Sequence, residues 1–404
     1  MPMNPVDRTS APDVAERIEI LDLIRGFTLC GILFANILWF SGFLHLAAAD
    51  RQSMLGGFLD EATLFLIRVL VHAKFYHIFA FLFGLGFALQ LHRHSAGIRR
   101  LFTRRLFLLL LFGLLHSLIW WGDIVRYYAV LGLTLLAFRH CSNRQLIIWI
   151  GAFSILPVLM GHAQALWHLG PSDFSVVDVR AREWLTHVRE ASPWQLFVLN
   201  LQQIVDHFTT NVGNGRIFRI LAMFLAGLLA GRLGIFADPH RYRAEIRRIL
   251  WPSLAVGIVG NLISVSFYYQ KWGLSFDTIS LLRDWIGLVS VPALALFYVA
   301  ALLTISMTPP ERSPLHRALR QLIPAGRMAL TNYLLQTMIA VAIFHPALGG
   351  LYGRLGVFQC ALLVLMIYTA QLLISHAWLA RYRFGPLEWL WRSGTRGQWQ
   401  PLRR

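Results

Sequence analysis

Ten stretches of this chain are apolar enough, and long enough or nearly so, to demand lipid or protein on every side. They run approximately over Ile20–Phe40, Phe75–Leu91, Leu106–Trp121, Ile124–Phe138, Leu146–Trp167, Ile217–Phe236, Leu250–Tyr269, Trp285–Met307, Met328–Phe344 and Val357–Leu379. A helix that crosses a bilayer takes about 20 mostly apolar residues. The fold class this predicts is all-α, a polytopic transmembrane bundle of about ten helices. Leu59–Val71 adds an eleventh if it enters the bilayer, and Gln195–Thr210, which mixes apolar and polar residues, reads as amphipathic. Charged residues make up only 14% of the chain, against about 25% in soluble domains, which argues against a soluble enzyme or a disordered chain.

The net charge of +17 invites a nucleic-acid reading, and its distribution removes it. Only Lys74 and Lys271 are lysines, and most of the arginines fall in alternate inter-segment loops once the N-terminus is placed in the cytoplasm. Positive residues anchor cytoplasmic loops, so both termini are expected inside, in a bacterial inner membrane, and no nucleic-acid partner is needed. The organisation expected is a cytoplasmic tail over 1–16, a membrane domain over 17–380 with an extracytoplasmic segment at about 168–212, and a basic amphipathic tail over 381–404. The tail that includes Arg8 has prolines and acids and lacks the apolar core of a signal peptide. Cys30, Cys141 and Cys360 lie far apart beside apolar runs and read as packing residues.

Ionisable groups at membrane depth are costly and usually face a protein interior. In the first segment, Asp22, Arg25 and Asn36 fall within an arc of about 60°, with Asn36 about 16 Å deeper than Arg25. Either they form one polar wall, or Asp22 and Arg25 pair and the guanidinium snorkels to the surface. Lys74 and His77 are one turn apart, followed by Gly84 and Gly86, which allow close helix approach. Lys74 is an interfacial anchor or a cation that holds an anion in a cavity.

His116 sits in an apolar segment, ahead of Trp120-Trp121-Gly122-Asp123 and Tyr127-Tyr128. A carboxylate can fix the tautomer of a histidine that acts as a base. On one regular helix, however, His116 and Asp123 would lie about 10 Å apart, too far for contact without a bridging group. In the ninth segment Arg327 and Thr331 share one face, and Asn332 and Gln336 another, with Tyr333 beside them. They are polar glue between helices or part of a site. Gly385-Pro386 ends the last span. The rest, with Trp389 and Trp391 and a Glu388–Arg392 pair at i,i+4, reads as an interfacial anchor. His92 and His94 flank Arg93, a poor setting for a metal, and His45 reads as a loop residue just outside the first span. No nucleotide-binding, metalloprotease or serine-hydrolase motif occurs, and no metal site is expected.

The strings GRMALTNYLLQT from Gly326 and GPLEWLWR from Gly385 resemble the C-terminal signature of the YeiB family of uncharacterised bacterial membrane proteins. LDLIRGF from Leu21, the Lys74 segment and GLLHSLIWWGDI from Gly113 fit the same family. More distantly, Arg17-x4-Asp22-x2-Arg25-Gly26 resembles the opening motif of transmembrane acyltransferases of the heparan glucosaminide acetyltransferase type. That resemblance implies an Asn late in the helix (here Asn36), a His after it (His45, as general base) and an Asp near the next helix (Asp60). Its implied chemistry is acyl transfer. An acyl-coenzyme A co-substrate, not tightly bound, would be held by Arg25, Lys74 and Arg327, with Tyr128 also in the binding set. The acceptor would be a glycan or lipid. His45 or His116, with Asp123, would act on it, and Asn36, Asn332 or Gln336 would steady the oxyanion. The same residues could instead line a solute or ion path, or hold together a membrane scaffold or sensor, and a homo-oligomer is compatible with each.

Overall fold

A computed structural model describes residues 14–93, 97–167, 174–269 and 273–404. Arg8 and the tail up to position 13, His94, Lys271 and positions 168–173 of the expected extracytoplasmic segment lie outside the described residues, as does the side chain of Arg17. In chain order the helices are α1 (Val14–Phe40), α2 (Ala48–Met54), α3 (Phe58–Leu66), α4 (Lys74–Arg93), α5 (Ile98–Ser117), α6 (Val125–Gly132), α7 (Leu135–Phe138), α8 (Asn143–Trp167) and α9 (Phe174–Glu190). They continue as α10 (Pro193–Gly213), α11 (Arg216–Leu233), α12 (Arg243–Tyr269), α13 (Phe276–Ser306), α14 (Pro314–Leu319), α15 (Ile323–Arg327), α16 (Ala329–Phe344), α17 (Val357–Arg381) and α18 (Pro386–Arg396). The described residues contain no strand, only an isolated antiparallel bridge between Tyr382 and Arg403.

Six of these helices are long and apolar enough to cross a membrane, or seven if α14–α15 and α16, bent by 82° about Met328, form one broken span. The protein is a multi-pass helical membrane protein. The sequence count of ten is higher because three of its segments differ in the structure. Leu106–Trp121 belongs to α5, which ends at Ser117, and whose first turns carry Arg99, Arg100, Arg104 and Arg105. Ile124–Phe138 is split into α6 and α7. Ile217–Phe236 is α11, which carries Arg216, Arg219 and Arg232 and is buried along its length inside the bundle. Leu59–Val71 joins the next segment in a single 35-residue run, Phe58–His92. Gln195–Thr210 is helical within α10.

That 35-residue run is not one smooth helix. α3 passes into a π turn over Ile67–Val71, and Ala73 then takes φ 68°, a left-handed conformation unfavourable for a residue with a side chain. The break frees backbone carbonyls where no water can be assumed, so side chains must satisfy them. Lys74 Nζ donates to Arg68 O at 3.1 Å, and His77 Nδ1 donates to Ala73 O at 2.6 Å. This corrects the expectation for Lys74: the ammonium is buried and holds a helix break together. α4 then packs along α11, and a Cβ on Gly84 would collide with the Phe224 backbone, so only glycine fits there. Gly86 meets no neighbour and lines a cavity instead.

Candidate functional site

A cavity of about 790 Å³ lies between α1, α4, α5, α6, α16 and α18, within the range of small-molecule sites. Its interior is apolar, with Ile32, Phe79, Leu82, Phe83, Leu109 and Val125 among its walls. Its rim carries six guanidiniums, those of Arg25, Arg105, Arg327, Arg383, Arg392 and Arg396, against the carboxylates of Glu19, Asp22 and Glu388. All three carboxylates are already engaged, Glu19 by Arg320 at 3.2 Å. Asp22 holds Arg25 at 2.6 Å, so the local pair read from the sequence forms and also lines the site. Glu388 accepts from Leu330 N at 2.6 Å, Thr331 N at 3.0 Å and the Thr331 hydroxyl at 2.6 Å. It therefore caps the first turn of α16, where an anion is favoured, and no Glu388–Arg392 ion pair forms among the described residues. Burial raises the Glu388 carboxyl from its ordinary value, and these hydrogen bonds pull the other way.

The last helix, expected as an interfacial anchor, is thus a wall of the cavity. Trp391 Nε1 donates to Arg105 O at 2.9 Å, and the Arg105 guanidinium lies 4.1 Å from the centre of the Trp391 ring, a stacking that arginine favours. Arg105, Arg383 and Arg396 carry no site signal in the sequence, and Arg392 only that of a pair with Glu388. In a linear reading, arginines in a loop or tail count only as topology signals. Arg327 does reach the rim and donates to Arg383 O at 3.2 Å.

Behind the inner wall sits a His–Asp pair. His116 Nδ1 and Asp123 Oδ1 are 2.7 Å apart, with both side chains fully buried. The separation of about 10 Å expected on one continuous helix is overturned because α5 stops at Ser117. Ile119 N and Trp120 N close a last turn on His116 O, and the chain leaves helical geometry over 121–123 before α6 begins. Gly113 lets α6 return close beside α5, since a Cβ there would sit 2.5 Å from Arg126 N. Asp123 Oδ2 accepts from Arg126 N at 2.8 Å, and the buried Arg126 guanidinium bonds Ser117 Oγ and Trp121 O, each at 3.0 Å. Arg126 was not singled out either, although an arginine inside Ile124–Phe138 was itself a signal.

An ionised carboxylate only accepts hydrogen bonds, so Nδ1 carries the proton and the Nε2 lone pair is free. His116 Nε2 is buried with no hydrogen-bond partner. The His116 ring packs edge-on to Tyr333, with centroids 5.3 Å apart. Tyr333 and Ile124, the residue after Asp123, both line the cavity. The pair is one side chain away from the chamber.

Other sequence candidates lie elsewhere. Asn332 Nδ2 donates to Ser375 Oγ at 3.0 Å, and Gln336 Nε2 to Gln371 Oε1 at 3.0 Å. Gln371 Nε2 returns a bond to Asn332 O at 2.9 Å, so these amides hold α16 to α17 and stay outside the cavity lining. Asn36 is half-buried and outside it too, so the stripe on α1 ends before Asn36. Asp60 Oδ1 accepts from Phe358 N at 2.8 Å and caps α17. His45 shares a 2.7 Å hydrogen bond with the Tyr352 hydroxyl inside a box formed by Trp39, Trp121, Trp184 and Tyr352. Burial pushes its pKa down to about 4, further from the neutral range where a general base works best.

A second cavity, of about 460 Å³, takes the other ends of α1 and α4 together with parts of α8, α11, α12 and α13. α1 lines the first cavity as far as Ile32 and the second from Ala35; α4 lines the second at Tyr76 and His77 and the first from Phe79. Tyr128, which lines the first, donates from its hydroxyl to Tyr76 O at 2.8 Å, and this bond is part of the septum between them.

Residues 230–398 match the family described as a protein of unknown function (DUF418). The chain is 29% identical to the uncharacterised protein YxaH of Bacillus subtilis, over 96% of each chain. It is 28% identical to the uncharacterised protein YeiB of Escherichia coli, over 94% of this chain and 96% of that one. An uncharacterised 39.9 kDa protein in the amylase 3' region of Bacillus acidopullulyticus is 29% identical over 96% of each. No solved structure matches.

Proposed function

The chain belongs to the YeiB family, and from that premise we propose that it is an integral-membrane acyltransferase of the bacterial inner membrane, with both termini cytoplasmic. The observation that carries this is the His116–Asp123 pair, with Nε2 unpartnered, one side chain behind an apolar cavity rimmed by arginines. An amphiphilic thioester such as an acyl-coenzyme A complements such a chamber. Its phosphates meet the guanidiniums of Arg25, Arg105 and Arg392, whose planar donors suit phosphate, and its acyl end lies along Phe79, Leu82 and Phe83. The acceptor is a hydroxyl or amine on a glycan or lipid.

Displacement of the Tyr333 ring exposes Nε2. The imidazole then takes the acceptor proton as the acceptor oxygen or nitrogen attacks the thioester carbonyl. The C–S bond breaks, and the departing thiolate takes the proton back from the imidazolium. Asp123 stabilises that imidazolium and keeps the tautomer. At rest the Tyr333 hydroxyl only accepts, from Ile124 N at 3.5 Å, so once displaced it has its own proton to donate to the oxyanion, a role that Asn332 and Gln336 lie too far behind the wall to take.

The test is full-length protein in nanodiscs with radiolabelled acyl-coenzyme A of several chain lengths. Wild type consumes one of them, His116→Ala loses about 10²–10⁴ in turnover, and Arg25→Gln with Arg392→Gln weakens donor binding. Wild type that neither binds nor consumes any thioester overturns the reading. A solute path is a second reading, favoured by one observation: the helix broken at Ala73 between two cavities that share α1 and α4, an arrangement that transporters use. Liposome flux without product chemistry would establish it.

A further inference from the structure

Among the described residues, the lining of the second cavity carries more positive than negative side chains: four guanidiniums, from Arg51, Arg68, Arg219 and Arg283, and one carboxylate, Asp284. Asp284 is engaged by Arg219 at 3.2 Å. Arg68 and Arg283 both stack on the same ring, that of Tyr268, at 4.2 and 4.0 Å from its centroid. Two like charges are thereby held within the sum of those distances. Arg283 also donates to the Tyr268 hydroxyl, yet its Nε is buried with no partner. Tyr268 and Arg283 lie at the adjoining ends of the apolar spans α12 and α13, so this positive excess sits at the end of the spans, where anionic groups of a bilayer are within reach. The break at Ala73 adds the N-terminal end of the 20-residue helix α4, whose dipole has the same sign.

Several converging guanidiniums with an unused N–H match the many acceptor sites of a tetrahedral oxyanion better than a planar carboxylate, which one guanidinium can satisfy with two bonds. We propose that the second cavity is a phosphoryl-binding site in which Arg68, Arg219 and Arg283 hold the phosphate group of a molecule separate from any occupant of the arginine-rimmed cavity. This does not rest on the acyl-transfer reading. The phosphate comes from a free phosphorylated solute or from a phospholipid head group, and both have the same chemistry at the site.

The experiment uses the full-length protein in dodecyl maltoside, which has no phosphate, and follows phenylglyoxal labelling of Arg283 by peptide mass spectrometry. Inorganic phosphate is titrated at constant ionic strength against chloride, and the same labelling is repeated in nanodiscs containing phosphatidylglycerol. Saturable protection of Arg283 by phosphate, at least about five-fold, is the expected result. Arg219→Gln should abolish that protection and Arg241→Gln on the surface should leave it intact. Protection only in the lipid nanodiscs, again lost in Arg219→Gln, assigns the phosphate to a head group. If neither phosphate nor phosphatidylglycerol protects Arg283, or protection is unchanged in Arg219→Gln, the proposal fails. The wild-type labelling decides the point even if the variant does not fold.

Discussion

Replacing Asp123 separates two roles of one buried carboxylate. Its Oδ1 holds His116 Nδ1 at 2.7 Å and its Oδ2 holds Arg126 N at 2.8 Å. Asp123→Ala leaves both donors buried without an acceptor. Each stranded donor costs about 1–3 kcal/mol, so the pair costs roughly 2–6 kcal/mol. Asp123→Asn behaves differently. Its carbonyl oxygen still serves Arg126 N, while its amide group now donates to His116 Nδ1. The imidazole proton must then move to Nε2, and the lone pair facing Tyr333 is lost. That change replaces a charge-assisted bond of about 1.5–3 kcal/mol with a neutral one of about 0.5–1.5, a loss of about 1 kcal/mol. Reversible unfolding of the full chain in mixed micelles measures both variants, and nitrogen NMR of labelled histidine reads the tautomer. If Asp123→Asn destabilises as much as Asp123→Ala, or if Asp123→Ala is indistinguishable from wild type, the carboxylate does not hold this turn as argued.

Glu388→Ala removes the acceptor for three bonds at the start of α16 and is expected to cost roughly 2–4 kcal/mol. Glu388→Gln should keep about half of that, and the released α18 should become sensitive to trypsin at Arg392 and Arg396. For His45 the folded-state pKa is about 4, against about 6.5 when unfolded. Between those values the unfolded chain binds the extra proton, so the stability from His45 is intact above about pH 6.5 and is lost as pH falls towards 4. The melting temperature difference between about pH 7.5 and about pH 5 should therefore shrink in His45→Gln; an unchanged difference would show that His45 does not titrate between those values.

The membrane class was legible because hydropathy acts locally, over about one helix length. The helix-level detail was less so, because three arginine-bearing or broken segments, α5, α6–α7 and α11, gain their burial from neighbouring helices. At the site, Asp22, Arg25, Tyr128, Arg327 and Tyr333 line one cavity. Lys74, Asn332 and Gln336 carry the same signal, a polar group at membrane depth, yet bond backbone carbonyls or a neighbouring helix. Residue type cannot separate those two fates; only the facing helix decides them. The contact between His116 and Asp123 was hidden for a further reason. Helical arithmetic assumes a continuous helix, and the chain leaves helical geometry after α5, between the histidine and the aspartate.

The septum between the two cavities offers a way to choose between transfer and transport. Tyr128→Phe removes one hydrogen bond, to Tyr76 O, at a cost of about 0.5–1.5 kcal/mol. Tyr76 stays within the backbone ladder of α4, so the bundle should survive. An acyltransferase brings its reacting groups to His116 on one side of that wall and has no need for a solute to pass Tyr128. A transporter must open this boundary in every cycle, since α1 and α4 each line one cavity above it and the other below. Acyl transfer therefore expects Tyr128→Phe to consume thioester within a few-fold of wild type, with anion flux in proteoliposomes at background. Flux that rises several-fold in Tyr128→Phe, with no thioester consumed by either protein, would instead make the His–Asp pair a structural hinge of a solute pathway.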